Sequence, residues 1–268
     1  MVTCMNTLAW KLRTQTLLLD KPVFMGIVNI TPDSFSDGGK FFDPDKAVEH
    51  ALQLINDGVG IIDIGGESTR PGSAAVDTDE ELRRVIPTLT KIVSTFKTGK
   101  TIPISVDTRN AVVAREAVQA GAEIINDVSA GPSPAMLDVL LDTGAGYVLM
   151  HSRGTPETMQ FNPQYKDVVE EVFNFLRCRR SEMITAGVEA ERIAVDPGLG
   201  FGKTTEHNLQ LIEHIDRFNA LDAPVLVGHS RKRFVAQTYQ DRNEGTRMIT
   251  GQLIKKGVQI IRLHEIKT

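Results

Sequence analysis

The chain has 268 residues, close to the roughly 250 of one (β/α)₈ barrel and long enough to bury a full core without disulfides or structural metals. Hydrophobic residues at 41% and charged residues at 24% exclude a disordered chain, and a formal net charge of −4 argues against a nucleic-acid partner, whose phosphates call for a basic face. Cys4 and Cys178 make neither a disulfide framework nor a metal-ligand spacing, residues 1–10 lack a signal-peptide pattern, and no apolar run approaches the ~20 residues of a membrane span. The expected setting is the cytoplasm, with no membrane contact and Cys178 as a reduced thiol on a helix.

Short apolar runs then alternate with segments of helical period. The first run covers 23–29, and Ala47, Val48, Ala51, Leu52 and Ile55 follow on one helical face. The second covers 60–64; its helix carries Leu82, Val85, Ile86, Leu89, Ile92, Val93 and Phe96. Run three (102–107) precedes a helix over 111–120, and run four (123–127) one over 135–141. Run five (146–151) leads through a polar loop to a helix with Val168, Val169, Val172, Phe173 and Leu176. Run six (192–196) precedes a helix near 209–218, run seven (224–228) precedes helical material to about 256, and run eight covers 258–263.

Each run is nearly continuous in Ile, Val and Leu, as strands buried on both faces are. Eight such runs, all but the last followed by a helix, predict one (β/α)₈ TIM-barrel domain over 1–268, with an open doubly wound sheet as the alternative. Only five residues follow Leu263, so the last C-terminal helix is expected to be lacking. The outer faces of the first and last strands would then be covered by the first 19 residues, a partner subunit or solvent.

In this fold, chemistry sits at the C-terminal ends of the strands. Here the runs end in Asn29, in residues 65–72 (GGESTRPG), in Asp107, Asn126-Asp127, Met150-His151, Asp196-Pro197-Gly198, His229-Ser230-Arg231-Lys232 and Arg262-Leu263-His264. Singly, each has an ordinary explanation: Asp107 as a helix cap, Asn126 as a turn former, Lys232 and Arg262 as solvated cations. Together they form a polar ring. Asp107, Asn126 and Asp196 suit a flat heterocycle with several N–H groups. Arg70, Arg262 and His264, with Asn29, suit a diphosphate, and Asn29 also suits Mg²⁺. Residues 31–39 and 65–72 combine Gly and Pro with short polar residues, as lids do. Residues 198–203 (GLGFGK) lack the spacing of a phosphate-binding P-loop; the glycines instead allow close approach to a planar ligand, with Phe201 as an apolar wall.

These motifs, in this order from about residue 24 to 264, resemble the dihydropteroate synthase family, the sulfonamide-sensitive pterin-binding barrels of folate synthesis. The resemblance implies that 6-hydroxymethyl-7,8-dihydropterin diphosphate and p-aminobenzoate are condensed to 7,8-dihydropteroate, with diphosphate leaving first. It implies a pterin held by Asp107, Asn126, Asp196 and Lys232 with Met150 nearby. It places the diphosphate and Mg²⁺ among Asn29, Thr69, Arg70, Arg262 and His264. It places p-aminobenzoate among Phe35, Pro71, Phe201 and Lys232, with Asp33 near its amine. Sulfonamides are the implied inhibitors, and a homodimer through the last helices is the implied assembly, although 247–256 is more polar than usual there. His229 also departs from the pattern, which usually has a smaller or uncharged residue at that position. The competing expectations are a folate-dependent methyltransferase, which has no use for Thr69-Arg70-Pro71 or for Arg262 with His264, and a pterin-binding protein without turnover, motivated only by the lacking helix.

Overall fold

The computed structural model describes residues 8–30, 44–68, 76–96, 101–154, 159 and 161–266. An antiparallel hairpin, β1 (Ala9–Lys11) and β2 (Thr16–Leu18), comes first. Eight parallel strands follow: β3 (Val23–Asn29), β4 (Ile61–Gly65), β5 (Ile104–Asp107), β6 (Ile124–Asp127), β7 (Gly146–Met150), β8 (Ile193–Asp196), β9 (Leu226–Gly228) and β10 (Ile260–Leu263). They run in the order β8-β7-β6-β5-β4-β3-β10-β9, and a bridge between Val195 and Val225 closes the ring. This is the expected (β/α)₈ barrel. Closure rules out the open sheet, because no edge remains between β8 and β9.

The connections are helical, as parallel strands require. They are α1 (Pro44–Asn56), α2 (Thr78–Thr95), α3 (Ala111–Gln119), α4 (Pro134–Thr143), α5 (Val168–Thr185), α6 (Thr205–Glu213), α7 (Arg233–Thr238) and α8 (Arg242–Lys255). Local chemistry sets their ends. Asp77 caps α2 by accepting from the Glu80 amide, and three acidic residues in the first turn complement the helix dipole. Ser133 caps α4, Pro134 opens it, and Gly144 closes it in the left-handed region. One expectation needs correction and one gains detail. The helix near 209–218 ends at Glu213 and continues as a 3₁₀ turn, Ile215–Leu221. The helical material before 256 is two helices, because Asp241 starts a new one by capping the Glu244 amide.

Inside the ring, residues alternate between the barrel interior and the helical layer. Met25, Ile61, Ile124, Val148, Ala194, Leu226 and Ile260 fill the lower interior, and Trp10, Leu12 and Leu19 of the hairpin region pack onto them. The hairpin is therefore a floor plug and not a cover for the outer wall. It is tied down by Trp10 Nε1 donating to the Arg192 carbonyl at 2.8 Å, and by Glu123 accepting from the Thr14 amide and hydroxyl at 2.8 and 2.6 Å. No helix follows β10 among the described residues. The outward Ile261 and Leu263 of that strand are nonetheless buried in the main core with Val28 of β3.

Candidate active site

The C-terminal rim opens into a cavity of about 910 Å³ whose walls include Asn29, Asp107, Phe201, Lys232, Arg262 and His264. Strand pairing sets these groups side by side: Asn29 opposite Gly65, Gly65 opposite Asp107, Asp107 opposite Asn126, and Met150 opposite Asp196. Asn126, Met150 and Asp196 are buried and are not among the walls of the open cavity. Asp33, Phe35, Thr69, Arg70 and Pro71, with residues 31–39 and 69–72 of the two expected lids, lie outside the described residues.

Arg262 is the hub of one side. Its Nε donates to Asp63 Oδ2 at 2.6 Å and its Nη2 to Asp107 Oδ2 at 2.7 Å. Asn126 Nδ2 donates to the same Asp63 oxygen at 3.1 Å. Arg262 is thus not solvated, and Asp107 is not the cap of α3; Asn110 is, accepting from the Val112 amide. Nor does Asn126 form the turn after β6, where Asp127 accepts from the Ser129 amide at 2.8 Å. One guanidinium cannot neutralise two carboxylates. Burial therefore lifts Asp107 to about 7, Arg262 opposing this and Asp63, Glu81 and Asp127 adding to it.

The opposite side is built from the loops after β8 and β9. Asp196 is buried, which raises its pKa, and one of its oxygens accepts from the Gly198 amide at 2.7 Å. Gly198 has a φ of 67°, and a Cβ there would sit 1.9 Å from the His151 carbonyl oxygen, so only glycine fits. Arg231 adopts a left-handed φ of 57°, a strain of roughly 1–3 kcal/mol for a residue other than glycine. The turn brings Lys232 inward, where its ammonium donates to the Leu199 carbonyl and sits 4.6 Å from the Phe201 ring centre. Burial lowers Lys232 to about 8, with Asp196 holding it up. His264 Nδ1 meets Ser230 Oγ at 3.0 Å across the rim.

Two buried charges escaped the sequence reading, and two rim residues acquire partners it did not name. Asp63 is fully buried and links Arg262 to Asn126; the only signal was a carboxylate inside an isoleucine run. Lys203 is buried too, its ammonium donating to the carbonyls of Gly198 (2.9 Å) and Phe201 (3.0 Å) and facing His151 Nδ1 at 2.9 Å. Burial, with Lys203 beside it, drives His151 down to about 2, so its ring is neutral. Glu67, counted among the rim motifs, pairs with Arg109 at 3.0 Å. His229 is buried with Nε2 against Thr246 O and Thr250 Oγ1, each at 3.0 Å, and burial lowers it to about 4. It is a neutral histidine packed against α8.

A profile of the family described as pterin binding enzyme matches residues 25–264. The dihydropteroate synthase of Bacillus subtilis (strain 168) is 45% identical over 253 residues, 92% of this chain and 85% of that protein. The crystal structure of Xanthomonas albilineans dihydropteroate synthase with 4-aminobenzoic acid superposes with a TM-score of 0.89 at 42% identity, covering 97% of this chain and 93% of that one. The Yersinia pestis dihydropteroate synthase with a sulfonamide drug complex gives 0.88 at 38% identity, covering 97% and 94%. With the family profile matching residues 25–264 and a relative 45% identical over 92% of this chain's length, the chain belongs to the pterin-binding enzymes, and within them to the dihydropteroate synthases.

Proposed function

We propose that this rim joins 6-hydroxymethyl-7,8-dihydropterin diphosphate to p-aminobenzoate, giving 7,8-dihydropteroate and diphosphate, with the residue roles that follow. The observation that carries the reading is the chemistry gathered at the rim: buried Asp107, Asn126 and Asp196 at the ends of β5, β6 and β8, Arg262 on β10 paired with Asp107, and Lys232 and His264 just beyond β9 and β10. Asp107, Asn126 and Asp196 offer the acceptors and the amide that an amino-pyrimidine ring requires, with Met150 nearby. Arg262, His264 and Asn29 suit the diphosphate, with Thr69 and Arg70 joining them from the second lid. Phe201 and the Lys232 stem offer an apolar wall for the ring of p-aminobenzoate, to which the family resemblance adds Phe35 and Pro71, with Asp33 assigned to the amine.

The reaction divides into two steps. The methylene carbon–oxygen bond breaks, and its electron pair leaves on the diphosphate. The amine nitrogen then forms the carbon–nitrogen bond and loses a proton to solvent. An aromatic amine is a poor nucleophile, so the first step carries most of the barrier. Preorganised charge is what lowers it: cations toward the leaving oxygens, carboxylates toward the ring that becomes positive. No side-chain nucleophile is required.

The donor set fits Mg²⁺ only beside substrate. Among the described residues no group of three His, Cys, Asp or Glu side chains gathers as a metal cage. Asn29 supplies one neutral amide oxygen on the cavity wall, and a substrate diphosphate with waters would complete the shell. Mg²⁺ so held would neutralise negative charge on the departing diphosphate. A methyltransferase has no use for the cationic half of the rim. No described helix is long and apolar enough to cross a membrane.

The test mixes protein, the pterin diphosphate, Mg²⁺ and p-aminobenzoate, and follows diphosphate. Release that depends on the amine and yields dihydropteroate is expected. Tight pterin binding without turnover would instead identify a non-catalytic binder, and methyl transfer from methyltetrahydrofolate would identify the methyltransferase.

A further inference from the structure

Asp63 plays no part in the mechanism above, yet it is a fully buried carboxylate in the interior of the barrel. Its Oδ2 takes both the Asn126 Nδ2 bond at 3.1 Å and the Arg262 Nε bond at 2.6 Å, while its Oδ1 has no hydrogen-bond partner. An ionised carboxylate only accepts hydrogen bonds. It can therefore face only the NH₂ end of the Asn126 amide. The flipped amide would set oxygen against oxygen in a buried place, losing one bond and adding repulsion.

Fixing that end fixes what the amide offers a ligand. One N–H is committed to Asp63; a second N–H and the carbonyl oxygen remain, donor beside acceptor. An asparagine so arranged matches a ring nitrogen lone pair beside an exocyclic N–H, as when it reads the edge of adenine. A 2-amino-pyrimidine edge has that pattern. The corresponding 2-oxo edge has the reverse, a ring N–H beside a carbonyl, and would need the flipped amide.

We propose that Asp63 is a specificity-determining positioning residue, locking the Asn126 amide so that the rim accepts a 2-amino-pteridine and refuses its 2-oxo counterpart. The proposal rests on reading the rim as a pterin site. It separates Asp63 from a simple counter-ion for Arg262, which would influence any anionic ligand without regard to the ring substituent.

The experiment measures, by calorimetric titration, the binding of 6-hydroxymethylpterin and of 6-hydroxymethyl-lumazine to the unmodified protein and to Asp63→Ser, whose hydroxyl both donates and accepts. Neither ligand carries phosphate, so contacts to the diphosphate do not enter. The unmodified protein should prefer the 2-amino ring, and Asp63→Ser should lower that preference about 10-fold, the scale of one hydrogen bond regained by a freed amide. Equal weakening of both ligands, with the ratio unchanged, overturns the proposal. Binding of neither ring by the unmodified protein sinks the pterin reading as well. If Asp63→Ser does not fold, Asp63→Thr, with the same hydroxyl, serves for the same ratio. Neutron diffraction of the unmodified protein gives a direct check: Asn126 Oδ1 turned toward Asp63 overturns the proposal.

Discussion

Lys203→Met tests whether the loop under Phe201 is held by one buried ammonium. Lys203 is 2% exposed, and its ammonium bonds the Gly198 and Phe201 carbonyls and faces His151 Nδ1. Hydrogen bonds to a charged group contribute about 1.5–3 kcal/mol each, and each carbonyl left unpaired in the interior costs about 1–3 kcal/mol. Methionine recovers part of this, because the desolvation that pushes the Lys203 pKa well down is relieved. The balance is a loss of roughly 2–4 kcal/mol, or about 4–7 °C in Tm for a domain of this size. Thermal unfolding followed by circular dichroism reads it directly. The double variant with His151→Phe should show coupling of about 1 kcal/mol, since the two side chains share one contact. In the steady state, KM for p-aminobenzoate should rise while KM for the pterin changes little, because Phe201 and not the pterin floor is released. A Tm shift under about 2 °C, with additive effects of the two substitutions, would refute the account of Lys203 as a staple.

Three further outcomes follow from the same geometry. The pH profile of kcat/KM should be bell-shaped, rising as Asp107 ionises near about 7 and falling as Lys232 loses its proton near about 8; Lys232→Arg should push the alkaline limb outward, and a flat profile from pH 6 to 9 would contradict both assignments. His229 has a folded pKa of about 4 against the usual 6.5, so the unfolded chain binds the extra proton between those values. Its contribution is complete above pH 6.5 and is lost as pH falls to about 4, a change of about 3 kcal/mol that His229→Asn should abolish in urea titrations across that window. Trp10→Ala should cost about 3–5 kcal/mol by opening the barrel floor, with the KM values preserved in whatever protein remains folded; a selective change in KM would show that the hairpin reaches the rim.

The barrel was legible because its signal is repeated. Eight apolar runs, broken at nearly regular intervals, leave few other ways to bury so many two-faced strands, and the run boundaries fall within a few residues of the observed ones. The rim was legible because polar residues at strand ends interrupt that pattern at one end only. Asp63 escaped for the converse reason: inside GIIDIGG it reads as a blemish in a hydrophobic strand, and only the interior register reveals its neighbours across the barrel. Lys203 escaped because its acceptors are backbone carbonyls, which no side-chain motif announces. The hairpin at 9–18 was too short and too mixed to separate from an outer-wall segment; its role depends on Trp10 meeting the Arg192 carbonyl, 182 residues away.

The two ends of the barrel do different work, and the charge layout shows how they cooperate. The floor is apolar and closed by the hairpin, so the interior above it is poorly screened. In that medium Asp107 feels three carboxyls, Asp63, Glu81 and Asp127, against the single guanidinium of Arg262. Lys232 and His264 stand on the β9–β10 side. A neutral planar ring would gain little from such a field. A ring that turns positive beside Asp107 and Asp196 as an oxygen turns negative near His264 would gain from both ends at once, and the gain would grow as the bond between them lengthens. Removing one cation should therefore slow bond cleavage more than it weakens ground-state binding of the pterin.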